Sequence, residues 1–310
     1  PCRSRGLGDV YKRQTKNMLD LVDQLPYAYD EPFADSSQLP TNLLCSLTIQ
    51  NVKVSLSGDG GDEMFGGYNR YIYAEKLWKF INSQTNINLR FLQYLIKSTS
   101  EKNINYLYRI MHTLGLTKIN VNNPGQIIKK ASNLLNSSSQ VELYKNIITI
   151  FPNIRDLVKH STSNNFDKSL NKLNKELSFY EYMNLFDTNN YLTEDILCKV
   201  DRASMSHSLE VRVPFINKEI FSHAWKIPQK FKVKKNQGKI ILKDLLNKRM
   251  PKELFVRPKS GFAIPLDNLI RNDLAHTVSQ VLEKNKIDEQ NIFNFSEIKN
   301  LISAHKSGIN

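Results

Sequence analysis

Residues 57–67 read SGDGGDEMFGG, a run of glycines and acids that only a few kinds of chemistry require. Gly58, Gly60 and Gly61 let the backbone pass close to a ligand or adopt positive φ. A β-branched, alternating segment, Val52-Lys53-Val54-Ser55-Leu56, runs directly into this loop and reads as a strand. An apolar, aromatic helix is expected to leave it, reaching about Phe80. A helix N-terminus favours an anion, yet Asp59 and Asp62 repel a bare phosphate. A polyphosphate carried with Mg2+ satisfies both, with the carboxylates gripping the metal. Two commoner phosphate loops are excluded. A dinucleotide-binding fingerprint needs glycine where Glu63 stands. A Walker A loop needs Lys and then Ser or Thr where Gly67 and Tyr68 follow Gly66.

A second charged stretch is YLTEDILCKVDRASMSHSLEVRVPF, residues 191–215. Its charge spacing reads as an amphipathic surface helix with i,i+4 pairs such as Asp195–Lys199. Arg212, between two valines and two residues after Glu210, reads as a partly buried, paired arginine. Lys259 lies in the loop RPKSGFAIP (257–265), where a proline and a Gly-Phe turn could fix it against an oxyanion or phosphate. A solvated loop lysine is the plainer reading. Lys239 and Lys243, opening a helix, are weaker candidates of the same kind. The histidines at 112, 160, 207, 223, 276 and 305 have no zinc-ligand spacing. Cys45 and Cys198 sit in apolar contexts and read as buried rather than reactive.

The elements that must position these residues follow a βα pattern, a strand feeding a glycine turn and a helix. Residues 15–25 and 41–50 have helical periods, separated by a proline-rich loop at 26–41. Residues 82–178 are rich in Asn, Ser, Lys and Leu and read as a helical variable insertion without a motif. From 179 onward the pattern is denser, with helices around a turn at Val213-Pro214-Phe215 and an amphipathic helix at 239–250. Another helix starts within 266–283, and the tail after 284 is expected to fray. The divisions drawn are thus 1–14, 15–81 (a partial α/β nucleotide-binding core), 82–178 and 179–310.

Composition narrows the classes further. With 310 residues, 40% hydrophobic and 24% charged, the chain is globular rather than disordered. No apolar run approaches the roughly 18 residues of a membrane helix, so no membrane partner is expected. Three cysteines without a C-x-x-C pair fit a reducing, cytoplasmic setting rather than a disulfide scaffold. The net charge of +13 includes a net +3 from residues 1–14, PCRSRGLGDVYKRQ. That stretch has no period and reads as a non-native leader. The remaining excess is scattered Lys without a basic stripe, so no nucleic-acid partner is expected either.

Together these motifs resemble a known family. VSLSGDGGDEMFGGYNRY, YLTEDILCKVDRASMSHSLEVRVPFIN, KIILKDLL and VRPKSGFAIPLDNLIR occur in that order in the synthetase domain of glutamine-hydrolysing asparagine synthetases. DEPFADSSQLPT at 30–41 is similar to the stretch that precedes the family's strand. The resemblance covers roughly residues 20–275 and implies an α/β fold. That fold would be a truncated adenine nucleotide alpha hydrolase-like (PP-loop) sheet joined to a mostly helical C-terminal part. It also implies a chemistry: β-aspartyl-AMP made from aspartate and ATP with Mg2+, then displacement of AMP by glutamine-derived ammonia.

Carried over residue by residue, the resemblance implies that Ser57, Gly58, Gly60 and Gly61 meet ATP and that Asp62 holds Mg2+. Asp59 falls at the acidic position thought to assist ammonia attack, where many relatives have the longer Glu. Lys259 would neutralise pyrophosphate, and Asp195 would orient that lysine. The departures are as informative. The family's Ser-Gly-Gly-x-Asp-Ser signature, expected before residue 15, is not found. The N-terminal glutaminase domain is not found either, and Cys2, between Pro1 and Arg3, does not fit its nucleophile. The expectation is a C-terminal part of a synthetase domain, inactive alone, whose partner is the missing glutaminase domain; a homodimer is compatible. Two other readings stand beside it. One is a tailoring amidotransferase of the same family, acting on a surface polysaccharide or closing an amide ring. The other is a catalytically empty binding module.

Overall fold

The structure, a computed structural model, describes residues 21–114, 124–151, 154–161, 176–255 and 266–308. The chain divides into two compact units, one of residues 1–67, 153–164 and 184–310, the other of 68–152 and 165–183. The chain is mostly helical, with a small parallel sheet.

In the first unit, β1 (Val54–Leu56) and β2 (Glu210–Arg212) pair in parallel, with Val54 opposite Glu210, Ser55 opposite Val211 and Leu56 opposite Arg212. Ser55 and Val211 share the inner face, where Val211 and Ile49 pack against Cys45, Ala203 and Leu209. The outer face carries Val54, Glu210, Arg212 and Leu56, the last 74% exposed. Helix Gln38–Thr48 packs on helix Cys198–Met205, beneath the strands. A second cluster joins Leu21, Leu39, Leu43 and Leu269, drawing the C-terminal helices onto the same element.

Several elements differ from expectation. β2 replaces the helical reading of residues 210–212, because Glu-Val-Arg gains its strand conformation from pairing with β1. Arg212 is paired, donating from Nε to Glu210 Oε1 at 2.8 Å, but 66% exposed, because it lies on the outer face. The helix expected through Phe80 is broken: Gly61–Phe65 ends at Gly66 with φ 66°, and a new helix runs from Asn69 to Ser83. The tail does not fray, since helices Lys284–Gln290 and Phe295–Lys306 bury Ile287 and Ile298, the second capped by Asn294.

The second unit is a set of helices, as its leucine and isoleucine spacing anticipates. Asn86–Ser98, Glu101–Thr113 and Gln140–Ile148 begin at Thr85, Ser100 and Ser139, each accepting a backbone N–H in its side chain. Its interior is aromatic: Tyr71, Leu143, Tyr144 and Met183 are fully buried. Tyr71 meets Tyr180 edge to face at 5.8 Å, and Arg70 Nε donates to the Tyr144 hydroxyl at 3.0 Å.

Candidate functional site

The glycine loop starts where the two parallel strands end, the edge at which open α/β sheets hold ligands. The ladder continues one step into it, with Ser57 N–H donating to Arg212 O at 2.9 Å. Ser57 Oγ hydrogen-bonds the Asp59 carboxylate, and Asp59 N–H lies 3.4 Å from the same Oγ. The hydroxyl therefore fixes the acid at the loop's first turn. Gly60 has φ 79°, a conformation that costs a residue with Cβ on the order of 1 kcal/mol or more. A Cβ there would also press on Ile216 at 3.0 Å. The loop then makes a helix of five residues, a single turn. Its charge comes from side chains rather than from a long helix dipole.

Lys239 comes to the loop from outside it. It arrives through a tight turn in which Lys234 and Gln237 exchange backbone hydrogen bonds, both 3.0 Å. Gly238 then lies flat on the loop, for a Cβ on it would stand 2.0 Å from Gly66 O. Lys239 N–H donates to Phe65 O at 3.0 Å, its φ is 56°, and its Nζ reaches Asp62 Oδ2 at 3.1 Å. A Cβ on Gly67 would collide with Asp62 Oδ1 at 1.9 Å and with Lys239 Cε at 2.4 Å. Gly67 and Gly238 are thus the close-approach glycines of this site. Their signal in sequence was present at Gly67, inside the loop, but at Gly238 it was a single glycine before a lysine.

A buried ionic cluster stands in the same unit. Lys199, 9% exposed, donates to Ser37 Oγ at 2.8 Å, pairs with Asp35 and lies 3.9 Å from Asp195. The expected Asp195–Lys199 pair forms, but it is not a surface pair, because Asp35 draws the ammonium inward. Burial by itself would raise the Asp35 carboxyl. Hydrogen bonds from Lys199 and Ser37, with the lysine's charge, outweigh it and hold the carboxyl below its ordinary range. This cluster clamps the DEPFADSS loop onto helix Cys198–Met205. Nearby, Tyr29 stacks on Phe33 at 4.9 Å, and its buried hydroxyl titrates far above its usual range, chiefly by desolvation. Cys45 is buried, its thiol pushed up to about 11 by desolvation, while Cys198 is half-buried.

The structure brings Gly61 and Asp62 against Lys239 and joins Asp59 to Ser57, and Asp195 lies beside Lys199. Lys259 lies outside the described residues. Among the described residues no cluster of His, Cys, Asp and Glu forms a preassembled metal site. Mg2+ takes one or two protein carboxylates and fills its shell with phosphate oxygens and water. Asp62 and Asp59, hard oxygen donors on one loop, fit that ion. Among the described residues no helix is long and apolar enough to cross a membrane.

Residues 10–310 match the asparagine synthase family model, and the chain belongs to that family. It is 27% identical over 276 residues to asparagine synthetase [glutamine-hydrolyzing] 1 of Bacillus subtilis, covering 87% of this chain and 40% of the relative. It is 28% identical over 263 residues to a putative asparagine synthetase [glutamine-hydrolyzing] of Mycobacterium tuberculosis H37Rv, covering 81% and 35%. A third relative, putative asparagine synthetase [glutamine-hydrolyzing] 2 of Methanocaldococcus jannaschii, is 29% identical over 206 residues, covering 66% and 36%. The chain therefore spans 40% or less of the length of these relatives. No solved structure matches.

Proposed function

We propose that this chain is the C-terminal part of the synthetase domain of an ATP-dependent, glutamine-hydrolysing amidotransferase that makes asparagine from aspartate. The observation that carries the reading is the position of the Ser57–Gly67 loop. It stands at the C-terminal end of a parallel strand pair, with Ser57 bonded to Asp59 and Lys239 reaching Asp62. The β1–β2 pair would belong to a PP-loop-type sheet, of which further strands would lie beside it.

In this reading ATP is a substrate. The side-chain carboxylate of aspartate attacks the α-phosphorus, pyrophosphate leaves, and ammonia displaces AMP from the acyl group. Ser57 Oγ and the Gly58, Gly60 and Gly61 backbone would bind the phosphates. Gly60 and Gly61 face Ile216 and Phe215, on which an added Cβ would press at 3.0 and 3.1 Å. Asp62 would hold Mg2+, which supplies charge neutralisation on the pyrophosphate when bound. Asp59, oriented by Ser57, would accept a proton from the attacking ammonia; being one methylene shorter than Glu, it would do so from a position fixed by that hydroxyl. Lys259 would stabilise the charge that develops as pyrophosphate departs. Asp195, which lies 3.9 Å from Lys199, would orient Lys259. The ammonia would come from a glutaminase domain, and the setting would be cytoplasmic.

The experiment is acceptor-dependent pyrophosphate release by the full-length parent protein with ammonium as nitrogen source. Aspartate should be the carboxylate that triggers it, with asparagine and AMP formed in equal amounts. Release triggered by another carboxylate, with aspartate inert, would assign the protein to a tailoring reaction instead. No release with any carboxylate, from folded protein, would leave a binding module.

A further inference from the structure

The second unit holds a cavity of about 620 Å3, inside the range of about 300–1,000 Å3 that small-molecule sites occupy. It lies where helix Asn69–Ser83 ends, helix Asn86–Ser98 begins and the chain leaves helix Pro124–Leu134. Its apolar floor is small and consists of Ile81, Leu89 and Leu135, all buried. The walls carry Trp78 and three carboxamides, those of Asn82, Gln84 and Asn136. Two of these amides are set by their neighbours. Gln93, itself buried, donates to Ser132 O at 3.1 Å and accepts from Asn136 Nδ2 at 2.7 Å. Gln84 Nε2 donates to Ser83 Oγ at 3.2 Å. Each of the two amides keeps its carbonyl oxygen and one N–H proton for a ligand. Ser137 Oγ accepts from Asn146 Nδ2 at 3.3 Å and keeps its own proton to donate. Arg90 is the one charged side chain of the lining, and among the described residues it makes no ion pair. The Glu142 carboxylate is taken up by the N–H and hydroxyl of Ser138.

We propose that this cavity binds a saccharide carrying a carboxylate, a uronic acid. An apolar ligand is disfavoured, because it would strip water from the carboxamides and leave them unpaired. A carboxamide presents a donor and an acceptor in one plane. That matches two neighbouring hydroxyls of a sugar ring, each of which both gives and takes a hydrogen bond. The indole of Trp78 supplies an aromatic surface for the C–H face of the same ring, the apolar side that its hydroxyl edge leaves. An arginine with no acid in the lining calls for an anion, and its planar fork meets a carboxylate through two parallel N–H donors. A bare anion would use Arg90 alone, and a neutral sugar would leave it unused. A uronic acid uses the amides, the indole and the guanidinium together. The glycine loop belongs to the other unit, so the cavity stands or falls independently of the synthetase reaction.

The test uses the 310-residue chain carrying Trp225→Phe, which leaves Trp78 as its one indole. Glucuronate, glucose and acetate are titrated while indole emission is followed, with calorimetry beside it and thermal melts to check folding. Glucuronate should change the Trp78 emission saturably and bind about tenfold more tightly than glucose, the effect of one charge-assisted contact. Acetate should not saturate the site. Arg90→Gln, at an exposed helical position, should remove the tenfold advantage and leave glucose binding as it was. Asn82→Ala, also exposed, should weaken both sugars about threefold, the effect of one neutral hydrogen bond. No saturable change with glucuronate in folded protein overturns the proposal. Glucuronate binding that neither Arg90→Gln nor Asn82→Ala moves overturns it too, because the ligand then sits elsewhere. Acetate binding as tightly as glucuronate leaves only an anion site, and glucose binding as tightly leaves the arginine without a role. Either result also overturns it.

Discussion

Replacing Lys199 by Met should lower stability by about 3 kcal/mol, the lower end of what stripping one partner from a buried ion pair costs. The structure sets that magnitude. Lys199 and Asp35 retain only 11% and 16% of their side-chain exposure, and Ser37 would still donate to the carboxylate after the ammonium is gone. Methionine fills the volume of the lysine stem, so little of the loss would come from a cavity. The pH dependence distinguishes an orphaned charge from poor packing. In the parent the Asp35 carboxyl is depressed below its unfolded value of about 3.9. Its contribution is fully present above that value and is lost as pH falls through the folded one. In the variant, burial dominates and raises the same carboxyl, so its penalty is full at neutral pH and vanishes once it is protonated. The deficit should therefore be largest near neutral pH and shrink toward about pH 4. Urea denaturation of both proteins across that range measures it. A deficit that stays constant with pH, or one below about 0.5 kcal/mol at pH 7, refutes the reasoning.

Further outcomes follow from the packing around the loop. Gly238→Ala should cost about 2 kcal/mol, because the added Cβ would sit 2.0 Å from backbone at Gly66 O and cannot be relieved by a rotamer change; a melt indistinguishable from the parent's would contradict this. The Cys45 thiol, raised to about 11, should label at pH 8 only after unfolding, and rapid labelling of the native chain at that position, read by peptide mass, would contradict its burial. Asp59→Asn should, in the full-length parent, slow ammonia transfer more than aspartate activation; equal effects on both half-reactions would remove Asp59 from the transfer step.

How much of this was legible in the sequence depends on how local each signal is. The glycine loop, with its acids and the strand before it, lies within 57–67 and its immediate flank, so its composition announces it. Glu210-Val211-Arg212 is a strand only because β1 lies beside it, and three residues with one aliphatic centre have no period to detect. Lys199 looks like a surface partner of Asp195 until Asp35, 164 residues away, draws it inward. Lys239 is one lysine among many in a basic chain, and its place against the loop comes from a left-handed backbone and a glycine contact that only tertiary structure supplies. The C-terminal helices look like a fraying tail in the sequence because their burial rests on isolated residues such as Ile287 and Ile298, not on a continuous apolar stripe. Arg212 shows the opposite error: flanking valines suggested burial, yet alternate residues of a strand face opposite sides.

The central claim is that the 57–67 loop works on a magnesium-bound pyrophosphate group, and Asp62→Asn tests it most directly. Aspartate-dependent pyrophosphate release by the full-length parent would be followed against Mg2+ concentration, beside Lys259→Ala. Asparagine is an uncharged and weaker oxygen ligand, so Asp62→Asn should lose release at ordinary Mg2+ and recover part of it as Mg2+ rises. Lys259→Ala should lose on the order of a hundredfold, about 3 kcal/mol, with no recovery, because added metal cannot replace charge at the breaking bond. Folded Asp62→Asn protein that keeps parental turnover with an unshifted Mg2+ requirement would contradict the account.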